Sequence, residues 1–194
     1  NIHLSVYPPE GRVRIAAPSQ MDMDTIRVFA ISKLQWIKEQ KKILINQERE
    51  CKRDFLDRES HYFFGKRFLL KLHEIDAAPK VEIDHKHIHL YIRPNTNIEK
   101  KRKIIDEWHR TELKKITPKL IAKWEKKIGV KTNEFGIKKM RTKWGTCNIK
   151  AKRIWLNLEL AKKPKECVEY IIVHELVHLL ERSHNKRFVK LLNR

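Results

Sequence analysis

A densely apolar segment near the C-terminus predicts a buried helix. Pro164 suits the first turn of a helix, and Glu166 favours its positive end. The apolar residues that follow fall on several faces of this helix, so we expect it to be buried on most sides. They are Val168, Ile171, Ile172, Leu176, Val177, Leu179 and Leu180.

Alternating apolar and polar positions in the first half of the chain predict three β-hairpins. The paired segments are residues 2–7 with 12–16, residues 61–64 with 67–72, and residues 81–83 with 88–92. After the first hairpin, apolar residues at helical spacing predict one long helix from Asp22 or Asp24 to about Glu50. Residues 46–60 contain few apolar side chains, and we expect an exposed extension or linker there.

The second half of the chain predicts another long helix and a sheet. A helix is expected from Asn97 to Gly129, kinked or restarted at Thr117-Pro118. A strand at residues 135–140, a turn at residues 144–147 and a strand at residues 153–160 follow, and the last of these is a candidate to receive an extended peptide. The elements predict an α+β protein, with a small β-rich N-terminal unit carrying one long helix at residues 1–94. A second domain follows at residues 95–194.

The C-terminal helix carries the sequence His174-Glu175-Leu176-Val177-His178, and His184 follows six residues later. Residues four apart on a helix share a face, so His174 and His178 can direct two imidazoles at one metal ion. Glu175 projects beside them, where it can take a proton from water at the metal. A catalytic zinc needs a third protein ligand and an open fourth position, and His184 is the candidate third ligand.

Two other interpretations of these histidines are weaker. A core helix whose histidines bond to nearby backbone would leave three convergent polar groups to explain separately. A metzincin would have glycine in place of Glu181 and a methionine turn well downstream, whereas ten residues follow His184. We expect Ser183 to cap a short final helix that presents His184 from its first turn and places Phe188 on an apolar face.

A second group of histidines precedes the third hairpin's last strand. On one continuous strand, His85, His87 and His89 would share a face and could hold a second metal ion. A turn from Asp84 to His87 would break that alternation, so a solvated turn is the favoured interpretation.

The charge balance is strongly basic. The 44 Lys and Arg residues against 24 Asp and Glu residues give a formal net charge of +20, which attracts polyanions. No acidic residue occurs between Phe135 and Leu158, a segment that is either a solvated surface or a patch for DNA or RNA. Its basic residues are Lys138, Lys139, Arg141, Lys143, Lys150, Lys152 and Arg153.

The cysteines and the hydropathy of the chain predict a protein with reduced thiols and without a membrane span. Cys51, Cys147 and Cys167 are odd in number and scattered, which indicates reduced thiols in a cytoplasmic protein. No run approaches about 20 apolar residues, so no membrane span is expected. We expect Cys147 to pack rather than to bind metal. Tyr170, one turn before the first histidine, is expected either to stabilise an oxyanion or to pack.

The segment from His174 to Phe188, with Lys143-Trp144-Gly145-Thr146-Cys147 upstream, resembles the YgjP-like metal-dependent hydrolases, which are relatives of the SprT-like zinc peptidases. Lys143 stands where that family usually has arginine. The resemblance implies a zincin-type site with His174, His178 and His184 as zinc ligands and Glu175 as general base. The SprT-like group includes proteases that act on proteins attached to DNA, which favours the nucleic-acid interpretation of the basic segment.

The sequence therefore predicts a zinc-dependent hydrolase, most simply a metallopeptidase acting on a peptide or protein and recruited to nucleic acid. The alternative is a nucleic-acid-binding protein or nuclease whose zinc is structural, or an enzyme acting on a non-peptide substrate. A structural zinc usually has four protein ligands, and only Cys147 or Cys167 is a candidate for the fourth.

Overall fold

The computed structural model describes residues 2–8, 10–46 and 53–193. These residues belong to two compact units, residues 1–52 and 53–194. Helices and strands occur in both units, which confirms the α+β class expected from the sequence. Among the described residues, no helix is long and apolar enough to cross a membrane.

The first unit contains the expected hairpin and two helices in place of one. Strands β1 and β2 are antiparallel, and the Asp22 carboxylate caps the first helix by accepting from the Thr25 N–H at 2.8 Å. The predicted single helix is interrupted at Lys33, whose N–H bonds to the carbonyl of Ala30 three residues back and tightens the chain. The predicted end near Glu50, like Cys51, lies outside the described residues. The elements are β1 (His3–Tyr7), β2 (Arg12–Ala16), α1 (Met23–Ser32) and α2 (Leu34–Asn46).

The second unit begins with a four-stranded sheet in the order β3-β4-β6-β5. Both remaining predicted hairpins are present, and β4 also pairs with β6 in parallel, which the hairpin pattern did not predict. One face of the sheet is buried at Leu70, Ile88, Leu90 and Ile92 and packs against the following helix at Ile105. The strands are β3 (Ser60–Phe63), β4 (Lys66–Glu74), β5 (Lys80–Ile83) and β6 (His87–Ile92).

The described part of the predicted linker is not an exposed extension. Phe55 is 3% exposed and joins the core beneath the four-stranded sheet. The Glu59 carboxylate accepts hydrogen bonds from the backbone N–H groups of Asp54 and Phe55 at 3.0 and 2.9 Å. Backbone hydrogen bonds to Leu70 on β4, from the Arg58 N–H at 2.7 Å and to the Glu59 carbonyl at 2.8 Å, also hold this otherwise polar segment in place.

A single long helix, α3 (Ile98–Ile128), crosses the second unit. Asn97 caps its start by accepting from the Lys100 N–H at 2.9 Å, and Gly129 ends it in the left-handed conformation. The helix continues through Pro118 without a restart. Thr117, just before the proline, lies in the buried face, and its hydroxyl donates to the carbonyl of Leu113 at 2.7 Å. The buried residues recur every four positions, at Ile105, His109, Leu113, Thr117 and Ile121.

A three-stranded sheet in the order β7-β9-β8 lies against α3 and against the helix at residues 165–177. Residues 145–148 form strand β8 and not the predicted turn, because they pair antiparallel with β9. The predicted strand at residues 153–160 ends at Asn157, whose side chain caps a 3₁₀ helix. The elements are β7 (Glu134–Lys138), β8 (Gly145–Asn148), β9 (Arg153–Asn157), the 3₁₀ helix (Leu158–Lys162), α4 (Lys165–Val177) and α5 (Lys186–Leu192).

The compact units divide between residues 52 and 53, and the domain boundary that the sequence placed between residues 94 and 95 stays a prediction. The four-stranded sheet, before that position, and α3, after it, share one hydrophobic cluster. The β3–β4 turn also contacts the last part of the chain, since the Phe64 N–H donates to the carbonyl of Ala161 at 2.8 Å. A Cβ at Gly65 would lie 2.8 Å from the Pro164 ring, so this turn packs directly against the start of α4.

Candidate metal centre

Three imidazoles converge at the C-terminal end of α4. The ring centroids of His174, His178 and His184 are 4.8 to 4.9 Å apart in every pair. The Nε2 atoms of His174 and His184 are 3.0 Å apart, and one ligand atom from each of the three residues lies within 4.8 Å of the others. The structure therefore brings together all three of the residues that the sequence predicted as metal ligands.

The end of α4 explains how residues ten apart can meet. His174 lies in the last turn of α4, and His178 caps it with an N–H bond to the His174 carbonyl at 3.3 Å. Tighter hydrogen bonds from Leu179 to Leu176 and from Leu180 to Val177 then turn the chain back toward the helix. This return brings His184 over the end of the helix.

The final helix begins later than the sequence predicted. Asn185, and not Ser183, is its N-cap, because the Asn185 side chain accepts from the N–H of Phe188 at 2.9 Å. His184 therefore precedes α5 and is not in its first turn. The cap fixes the position at which Phe188 enters the site.

Phe188 supports all three imidazoles from one side. Its ring centroid lies 4.9, 4.7 and 4.7 Å from those of His174, His178 and His184, and the side chain is 2% exposed. Sequence reasoning placed Phe188 only on the apolar face of a short helix. Its contact with three rings depends on the turn after α4, which has no sequence signal.

The surroundings of His174 favour a neutral imidazole, and a hydrogen bond orients the ring of His178 for metal binding. Burial, followed by the neighbouring His178 and His184, lowers the pKa of His174. The backbone carbonyl of Glu181 lies 3.1 Å from Nδ1 of His178, which assigns the proton to Nδ1 and leaves the lone pair on Nε2. Three such donors fit a Zn²⁺ ion with a fourth position open, so the residues present fit the metal that a hydrolytic site would need.

Glu175 lies beside the histidines with its carboxylate close to strand β8. The side chain is 5% exposed, and burial raises the pKa of Glu175 to about 7, an effect that Lys143 opposes. A Cβ at Gly145 would lie 2.5 Å from Oε1 of Glu175 and 2.7 Å from its Cγ. The absence of a side chain at Gly145 therefore leaves the space that the carboxylate occupies. This contact explains the glycine of the Lys143-Trp144-Gly145-Thr146-Cys147 motif.

A cleft of about 590 Å³ lies above the three histidines and Glu175. Strand β8 lines one side of the cleft, and α4 lines the other. Tyr170 is 54% exposed at its edge, with its ring centroid 6.2 Å from that of His174. The three histidines and Glu175 are thus accessible from the cleft.

Neither described cysteine joins the three histidines. Cys147 lines the cleft, where burial raises the pKa of its thiol to about 11, and Cys167 is exposed. Among the described residues, the donor group at this site consists of the three histidines alone. This composition favours a site with a free coordination position over a structural zinc with four protein ligands.

An apolar recess of about 460 Å³ adjoins the cleft. Trp144, Tyr170 and Ile171 line both spaces, so a group bound in the cleft has the recess beside it. Leu160 and Cys167 complete the apolar wall. Lys163 and Glu166 supply the polar groups of its lining.

The basic segment is only partly neutralised. Lys139 pairs with Asp106 at 3.1 Å, and Arg153 pairs with Glu134 at 3.3 Å. Lys138 lies over the Trp155 ring at 4.8 Å, and Lys143 lines the cleft. Within the described residues, five members of the segment pair with no carboxylate, namely Lys138, Arg141, Lys143, Lys150 and Lys152.

Comparison with known proteins adds a family match. A family model described as "YgjP-like, metallopeptidase domain" matches residues 2–194. The chain is also similar to the crystal structure of the metallopeptidase zymogen of Pyrococcus abyssi abylysin, at 20% sequence identity and a TM-score of 0.37, over 39% of this chain and 75% of that chain. A TM-score that low supports no conclusion about fold or activity. A search of curated proteins gave no match.

We predict that the cost of a side chain at position 145 depends on Glu175. Gly145→Ala should lower the free energy of unfolding by about 1–3 kcal/mol, because the new methyl group must displace the carboxylate. In a Glu175→Ala background the same change should cost less than about 0.5 kcal/mol, since the clash is gone. Urea unfolding of the four proteins of this double-mutant cycle measures both values. An equal cost in the two backgrounds would show that the contact does not set the position of Glu175.

Proposed function

This chain belongs to the YgjP-like metallopeptidase family, as its motifs predicted, and from that premise we propose that it is a zinc-dependent peptidase with Glu175 as its general base. The family supports a metal-dependent peptidase, and the finer assignments are our proposal. The observation that carries them is the convergence of three imidazoles beside a buried carboxylate at the floor of an open cleft. His174, His178 and His184 are the proposed zinc ligands.

Each residue of the site has a proposed role in peptide hydrolysis. A zinc ion held by the three imidazoles would act as a Lewis acid toward the scissile carbonyl and make water more acidic. Glu175 takes the proton from the attacking water and returns it to the leaving amine. Gly145 keeps the carboxylate directed at the cleft, and Phe188 holds the imidazoles in position from behind. Tyr170, at the cleft edge, can donate its hydroxyl to the developing oxyanion.

The sheet beside the cleft suits an extended peptide. The sequence proposed that the strand at residues 153–160 receives the substrate, but β9 is the central strand of its sheet and has both edges paired. Strand β8 is an edge strand and lines the cleft, so we assign the peptide to β8. The neighbouring apolar recess then receives an apolar side chain of the substrate.

The pairing of β8 with β9 identifies which backbone groups face the substrate. The Asn157 N–H donates to the Trp144 carbonyl at 2.9 Å, which makes these two residues a hydrogen-bonded pair. Such pairs alternate along an antiparallel ladder, so the N–H and C=O groups of Gly145 and Cys147 point away from β9. These are the groups that an added strand would bond.

We predict that Glu175→Gln keeps the metal and loses peptide cleavage. Glutamine preserves the shape of the side chain but cannot accept the proton, so the turnover number should fall by about 10²–10⁴-fold. Zinc content by elemental analysis should remain that of the wild type. Glu99→Gln, an exposed change outside the cleft, is the matched control and should cleave normally. Cleavage by the Glu175 variant at the wild-type rate would contradict the assignment.

We predict that N-methylation of a peptide substrate slows its cleavage at every second position. If the substrate pairs with β8, only every second amide N–H is bonded to the protein, and methylation at those positions should slow cleavage about tenfold or more. Methylation at the intervening positions should have little effect on the rate. The measurement is kcat/KM for a series of singly methylated peptides around one cleavage site. A series with no alternation would rule out strand addition.

A second proposal concerns recruitment to nucleic acid. Lys138 ends β7, and the other four unpaired basic residues lie between β7 and β9. Among them, Lys143 lines the cleft itself. Together with the net charge of +20, they form a field that would hold DNA or RNA close to the site. Nucleic acid would then bind without being cut, whereas a nuclease that uses the same metal would degrade it.

We predict that Lys150→Glu/Lys152→Glu weakens binding to DNA or RNA mainly at low salt. Loss of two phosphate contacts should reduce the slope of log K against log salt by about 1–2. Lys114→Glu/Lys119→Glu, exposed changes on α3 that alter the net charge equally, is the control. Fluorescence anisotropy over a salt series measures both variants. Equal effects of the two pairs would mean that net charge alone, and not this segment, attracts nucleic acid.

A further inference from the structure

A second group of metal-binding side chains lies on the four-stranded sheet, outside the cleft. Strand β6 alternates between the core and the outer face of the sheet, with Ile88 and Leu90 fully buried. His87 and His89 therefore share the outer face. We propose that these two histidines and Asp84 form a second metal site, which takes a divalent transition-metal ion such as Zn²⁺. The proposal is independent of the function assigned to the cleft.

The β5–β6 turn places Asp84 against both histidines. One carboxylate oxygen, Oδ1, accepts from the backbone N–H groups of Lys86 and His87 at 2.7 and 2.6 Å. The other oxygen, Oδ2, lies 3.3 Å from Nδ1 of His87 and 3.1 Å from Nε2 of His89. The third member of the group with His87 and His89 is therefore Asp84, and not His85 as the sequence suggested. Two backbone hydrogen bonds hold the Asp84 carboxylate.

These separations suit coordination to one ion. Tetrahedral zinc with ligands at 2.0–2.1 Å places neighbouring ligand atoms about 3.3 Å apart. The two separations measured from Asp84 are close to that value, and one ligand atom of each residue lies within 4.8 Å of the others. A small inward shift of the side chains would complete the set, with a fourth position open to water.

Neighbouring groups orient His89 toward Asp84. Nε2 of His73, on β4, lies 2.9 Å from Nδ1 of His89, and the ring of His73 stacks on Tyr91 at 4.6 Å. A hydrogen bond to the far nitrogen is the usual way in which proteins fix a metal-binding imidazole. Glu82 lies directly opposite His89 in the β5–β6 pairing, and its carboxylate is paired with Lys80 at 2.8 Å.

The three side chains are also accessible to an ion from solvent. The side chains of Asp84, His87 and His89 are 39, 23 and 20% exposed. An ion there would fasten the β5–β6 turn to the outer face of the sheet. Without an ion, the same residues would be joined only by hydrogen bonds from the imidazoles to one carboxylate, so metal stoichiometry distinguishes the two arrangements.

The test is the number of ions bound by the full chain. Protein freed of metal with a chelator is titrated with Co²⁺, followed by visible absorption, and zinc is counted by elemental analysis after reloading. The wild type should bind two ions, and His174→Ala/His178→Ala should bind one. Adding Asp84→Asn or His89→Ala to that variant should bring the number to zero. Either addition should also abolish the rise in melting temperature that Zn²⁺ causes in the His174→Ala/His178→Ala variant.

The controls separate loss of a ligand from loss of the fold. His85→Ala changes a histidine of the same turn that is outside the group and should leave two ions bound. Asp84→Asn keeps an oxygen to accept the turn's hydrogen bonds, so it decides the question if His89→Ala does not fold. The proposal is overturned if the wild type binds one ion that His174→Ala/His178→Ala removes. It is overturned equally if Asp84→Asn leaves two ions bound to the otherwise unchanged chain.

Discussion

The burial of α4 is the constraint on which the candidate site depends. Val168, Ile172, Leu176 and Val177 are fully buried, and each contributes about 1.5–3 kcal/mol relative to an exposed side chain. Together they stabilise the helix position by on the order of 6–12 kcal/mol. None of these four side chains is a metal ligand, so the packing that positions His174 and Glu175 does not itself require an ion.

Other parts of the second unit contact α4 at both of its ends. The β3–β4 turn packs on Pro164 at the start of α4, and Glu169 accepts from the Trp124 indole of α3 at 2.6 Å. At the other end, Phe188 contacts the three imidazoles through α5. Residues 53–94 thus form part of the support for the site, which explains why the compact unit begins near residue 53.

Local signals allowed much of the fold and part of the site to be predicted. Asn97 and Gly129 mark the ends of α3, and helical spacing alone indicates that His174 and His178 share a face. The remaining features depend on contacts distant in sequence. Gly145 is required by the carboxylate of Glu175, thirty residues later, and residues 144–147 resemble a turn until their pairing with β9 is known. The alternating pattern predicts hairpins, and it likewise could not predict the parallel pairing of β4 with β6.

The two histidine clusters differ in the chemistry that they would give an ion. In the cleft, the three donors are imidazoles, which bring no negative charge to the ion, and Glu175 lies beside them without belonging to the group. The full charge of a divalent ion would remain available to polarise a substrate. On the sheet, Asp84 belongs to the group and would neutralise part of that charge. The same type of ion would therefore be a strong Lewis acid in the cleft and a weaker one on the sheet, where its main effect would be to hold the turn.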